Sequence, residues 1–74
     1  MNKPSDPATF VAPYRINMAI DIDDRIDDGR RIRAENWCLH NTSRGWFRRI
    51  PKCLGSIEFH FEDQNEATMF WLAN

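Results

Sequence analysis

From residue 14 to residue 22 the chain alternates without a break. Tyr14, Ile16, Met18, Ile20 and Ile22 fall on one side, and Arg15, Asn17, Ala19 and Asp21 on the other. A period of two kept over this length describes a β-strand with one apolar face and one wet face. Such a strand needs a second layer to cover its apolar side, so the remaining chain must supply one. At 74 residues there is room for a single small domain. A domain of this size buries only about 60% of the surface its unfolded chain exposes, which leaves little volume for a deep catalytic cleft.

The flanking sequence supplies that layer. Pro4, Pro7 and Pro13 interrupt any ladder before the strand, so residues 1–12 read as a flexible N-terminal arm and 13–74 as the domain. Asp23 and Asp24 end the strand. From residue 27 or 28 to 41 the spacing turns helical, with Ala34, Trp37, Cys38 and Asn41 at i, i+3, i+4 and i+7. Gly29 weakens the first turn, which leaves the start anywhere between residues 23 and 29. Residues 46–50 and 57–61 read as two further strands joined by a hairpin-length connection ending at Gly55. Asp63 followed by Glu66 resembles a capping box, and Ala67, Phe70 and Trp71 then give a short closing helix an aromatic face.

The resulting order, β-α-β-β-α, predicts an α+β fold: a small two-layer sandwich with a three-stranded sheet and two helices on one face. The expected core is Tyr14, Ile16, Met18, Ile20, Ala34, Trp37, Cys38, Ile57, Phe59, Phe61, Ala67, Phe70 and Trp71. The position of the first strand in the sheet, beside the third or at an edge, is left open. So is the choice of which face of the second strand is buried. Self-association as a homodimer is one way for so small a core to cover leftover apolar surface.

The net charge of −1 conceals a segregation along the chain. Residues 21–28 hold five aspartates against one arginine, whereas residues 29–52 hold seven cations against Glu35 alone. Two surfaces follow as candidate binding sites. One is acidic: Asp21, Asp23, Asp24, Asp27 and Asp28, carboxylates that can stand where phosphates would sit in a basic channel. The other interleaves cations with an aromatic ring: Arg44, Trp46, Arg48, Arg49 and Lys52, the pattern of a single-stranded nucleic-acid surface or of a protein hot spot. The bland alternative is that the two segments neutralise each other in the folded chain.

Motifs for chemistry are weak. Cys38, His40, Cys53 and His60 lack the close Cys–Cys and His–His spacings of a zinc site. The Asp21–Asp28 run fails as a calcium loop because Arg25 or Ile26 falls on required oxygen positions in either register. Ser43, Ser56 and the two histidines have no nucleophile elbow, and the three glycines form no phosphate cradle. The expectation is therefore a protein that is not an enzyme and uses no cofactor or metal. No run approaches a membrane span, and two cysteines point to a reduced, cytoplasmic setting.

Trp37-Cys38 with Asn41, Gly45-Trp46, Phe59-x-Phe61-Glu62-Asp63 and Glu66-Ala67-x-x-Phe70-x-Leu72 together resemble a loose group of short tailed-phage proteins. The likeness spans roughly residues 34–72. It departs at the turn, where Thr42 and Ser43 stand in place of that pattern's second cysteine. What it implies is a phage product in the cytoplasm of a bacterial host, acting stoichiometrically as an inhibitor or modulator of a host protein, the anti-CRISPR type among them. The expected function is thus a non-catalytic protein-binding module with a host protein as partner. The alternative is a small nucleic-acid-binding protein using segment 44–52.

Overall fold

A computed structural model describes residues 2–6, 12–21, 23–50 and 55–74. Its elements are β1 (Tyr14–Ala19), α1 (Arg25–Asn41), β2 (Trp46–Arg49), β3 (Ser56–Phe61) and α2 (Gln64–Ala73). The strands form one antiparallel sheet in the order β1-β3-β2. Both outer strands run against β3, so they are parallel to each other, and α1 carries the chain across β3 as parallel strands require. β1 is therefore both beside β3 and at an edge.

Register sorts the side chains by face. Tyr14, Ile16 and Met18 pair with Phe61, Phe59 and Ile57, while Trp46 and Arg48 pair with Phe61 and Phe59. This face receives both helices. Phe70 of α2 packs on Phe59 and Phe61 at ring distances of 4.7 and 5.1 Å, and Trp37 of α1 meets Phe70 edge-on at 5.6 Å. Met18, Ile20, Ala34, Cys38, Trp46, Ile57, Phe59, Phe61, Ala67 and Phe70 make the core. The expected two-layer α+β arrangement is present.

Several details differ from the sequence reading. Helix α1 begins at Arg25, because Asp24 adopts an extended conformation and caps the N–H groups of Ile26 and Asp27. β1 stops at Ala19, although Ile20 stays buried and donates its N–H to Gly55 O at 3.0 Å; Ile22 lies outside the described residues. Trp71 is 62% exposed and Tyr14 37% exposed, so neither belongs to the core. Trp46, read as a binding residue, is in the core at 1% exposure. Residues 2–6, expected in the arm, are bonded to the body: Asn2 N–H reaches Leu39 O, and Ser5 N–H reaches Trp46 O at 2.7 Å. Among the described residues, no helix is long and apolar enough to cross a membrane.

Candidate functional site

The acidic segment is built into the start of α1. Asp21 Oδ1 accepts the N–H of Asp23 and Asp24 caps the helix, while Asp27 Oδ2 accepts the N–H of Asp21 at 3.0 Å. Asp27 also lies 3.5 Å from Arg30, and Asp28 lies 2.8 Å from Arg31. Aspartates at a helix N-terminus satisfy its orphan N–H groups and oppose its positive dipole end, and here four of the five do such local work. Among the described residues, the Asp23 carboxylate makes no contact within this network, and Asp23 is an exposed turn residue.

The basic segment is dispersed by strand alternation. Trp46 and Arg48 point to the helix side, and Phe47 and Arg49 to the opposite side. Trp46 donates its indole N–H to Asn2 O at 2.8 Å. Arg48 Nε sits 2.6 Å from Glu35 Oε1, which also receives Arg31 at 2.9 Å. A chain of charge thus runs Asp28–Arg31–Glu35–Arg48 over the surface of α1 and onto β2. Its hydrogen bonds, first that to Asp28 and then that to Glu35, raise the pKa of the Arg31 guanidinium. Arg44 approaches Glu62 only to 4.0 Å, and Lys52 lies outside the described residues. The charge segregation along the chain is therefore largely folded into neighbouring pairs; exposed ones such as Arg44–Glu62 are modest in energy, while Arg31–Glu35 is largely shielded from solvent.

The second face of the sheet carries Arg15, Asn17, Phe47, Arg49, Glu58 and His60. Phe47 stacks on His60 with ring centroids 4.5 Å apart and planes 10° from parallel, and His60 Nε2 lies 3.0 Å from Glu58 Oε1. His60 is thus on the opposite side of the sheet from Cys38, which is buried against the helix layer, and Cys53 lies outside the described residues. Among the described residues, no group of three or more His, Cys, Asp or Glu side chains is arranged to hold a metal. Desolvation is the main reason that the Cys38 thiol is pushed well above its ordinary pKa, with the charges of Glu35 and Glu66 adding to it.

A third surface was not assigned from the sequence. It is the flank where α2 overhangs the outer edge of β1. Trp71 and Ile16 line two adjoining hollows of about 370 and 490 Å³. Tyr14 lines one of them; Leu72, 79% exposed, follows Trp71 on α2, while the exposed Met69 lies about 160° round the helix from Trp71. The signal was present in the run Met69-Phe70-Trp71-Leu72. Four successive apolar residues encircle a helix, and only one side of that helix can face the sheet. Compared with known proteins, the chain matches no family model, no curated protein and no solved structure.

Proposed function

We propose that this protein is a non-catalytic protein-binding module whose contact surface is the β1–α2 flank. The observation that carries this reading is a large apolar side chain left in solvent there: Trp71, 62% exposed, beside hollows that Tyr14 and Ile16 also line, with Leu72 exposed at the next position of α2. A small domain that keeps a tryptophan exposed beside a groove has the anchor-and-pocket chemistry of an interface hot spot. The acidic and basic segments are poorer candidates because their side chains cap, pair or pack within the fold. The resemblance to short tailed-phage proteins makes a protein of the bacterial host the partner class, bound stoichiometrically and thereby inhibited or modulated.

Quantitative capture from a bacterial lysate tests the reading. Trp71→Asp with Leu72→Asp is expected to abolish capture of a partner that the natural chain retains. Asp23→Asn with Asp28→Asn is expected to retain it. Equal capture by all three contradicts the reading.

A second reading, nucleic-acid binding, draws on the Phe47–His60 stack beside Arg15 and Arg49, where an aromatic platform lies among cations. Fluorescence anisotropy with single-stranded DNA and RNA separates the two. Binding that weakens steeply with salt and is lost on Arg49→Ala favours this second reading.

A further inference from the structure

The two edges of the sheet are treated differently. On the β2 side, Ser5 bonds to Trp46 O and Asn2 to the adjoining helix end, so the chain's own first residues occupy that edge. On the β1 side nothing comparable is present among the described residues. Ile20 N–H turns inward to Gly55 O at 3.0 Å, and alternation then directs the backbone groups of Arg15, Asn17 and Ala19 outward. Among the described residues, the one outward group with a bonded partner is Ala19 O, which accepts from Arg30 Nη1 at 3.2 Å. A row of outward N–H and C=O groups is a template for another extended backbone, a requirement that neither a helix nor a small molecule meets.

The surroundings define which strand would fit. On the helix side of the edge lie Trp71 and Ile16, which suit apolar side chains at every second position. Cations frame the same edge: Arg15 on the opposite sheet face, and Arg30 and Arg33 around the hollow at the Met18 end. No aspartate or glutamate side chain lines any of the three hollows along this edge. Of these cations, Arg30 already contacts Asp27, whereas Arg15 and Arg33 have no ion-pair partner among the described residues. A second copy of this chain is the poorer occupant. Pairing β1 with another β1 adds a second Arg15 on the same face and offers no carboxylate from either strand to meet it.

We infer that the outer edge of β1 is a strand-addition site for an extended segment of another protein in which apolar and acidic residues alternate. This rests on the protein-binding reading and specifies how the partner is held. Its apolar side chains would seat against Trp71 on the helix side, its alternate carboxylates would meet Arg15 on the opposite face, and its backbone would pair with Arg15 and Asn17.

Selection of a displayed random decapeptide library against the full chain tests the chemistry, followed by amide hydrogen exchange of the ¹⁵N-labelled protein with the enriched peptide. The expected consensus alternates apolar with acidic residues. Arg15→Glu should weaken the peptide at least about tenfold. The amides of Arg15 and Asn17 should become protected, and N-methylation of the peptide's paired residues should remove binding. Enrichment of basic or helix-periodic peptides, absence of any enrichment, or binding indifferent to N-methylation overturns the inference. Concentration-dependent protection of the same amides without peptide also overturns it, in favour of a second copy. Lysate capture that depends on Trp71 while these amides stay unprotected in the captured complex removes strand addition alone. Capture indifferent to Trp71 removes the underlying reading.

Discussion

Glu66 in the first turn of α2 holds the loop that follows α1: its carboxylate accepts the backbone N–H of Ser43 at 2.8 Å and of Arg44 at 3.1 Å. The capping-box spacing pointed to this side chain but to a different partner. Asp63 caps the helix by accepting the N–H of Glu66 at 3.1 Å, and the Glu66 carboxylate reaches across to the other helix's exit. The contact fixes the turn between α1 and Trp46, and with it the start of β2.

Glu66→Ala removes the acceptor of two partly buried N–H groups, which costs about 1–3 kcal/mol on general grounds. Glu66→Gln keeps one carbonyl acceptor and should lose less. Urea unfolding of the two variants against the natural chain checks both the size and the order.

The aspartates at the entry to α1 should separate by role. Asp24→Ala removes the cap on Ile26 and Asp27 and should cost about 1 kcal/mol. Asp23→Ala should change stability by less than about 0.5 kcal/mol, as exposed turn substitutions do. Thermal melts at low salt resolve the two.

Gly29 lies inside α1, and a Cβ built there meets no other atom within 4 Å. Gly29→Ala is therefore expected to stabilise the protein by about 0.5–1 kcal/mol, because it lowers the entropy of the unfolded chain at no steric cost. The check is the midpoint of thermal unfolding, which should rise by several degrees in a domain of this size.

Cys38 makes a prediction for alkaline pH. Burial holds its thiol neutral in the folded state well above its ordinary pKa, while the unfolded thiol ionises near about pH 8.5. The folded form then binds the extra proton, so stability falls as pH rises past that value, by at most about 1.4 kcal/mol per pH unit from this group. Cys38→Ala should flatten that slope relative to the natural chain. Peptide mapping after iodoacetamide treatment should find Cys38 unmodified in the folded protein and modified in urea.

The parts of the fold visible in the sequence are those with local causes. The period of two in β1 and β3 exposes one face of each strand, and the start of α2 follows from Asp63 as its cap, whereas a run of aspartates left the start of α1 open between residues 23 and 29. The exchange between Trp46 and Trp71 has a non-local cause. Arginine neighbours made Trp46 look like a surface ring, but alternation puts it on the same side as Arg48, whose charge is met by Glu35 from another element. Trp71 keeps a core-like spacing from Ala67, yet it lies about 100° round the helix from Phe70 and about 140° from Glu66. The sheet ends at β1 before it can cover that direction. The run Met69-Phe70-Trp71-Leu72 signals an exposed apolar side on α2, but not that it flanks β1, since an edge is a property of strand order.

Photo-crosslinking in living bacterial cells is the most direct test of where the protein makes its contacts. A benzophenone amino acid would be introduced singly at positions 71, 23 and 49, which sample the β1–α2 flank, the acidic turn and the second sheet face. A discrete protein adduct from position 71, with none from positions 23 and 49, is the predicted result. Adducts from position 23 or 49 with none from position 71 would contradict the assignment of the β1–α2 flank as the binding surface.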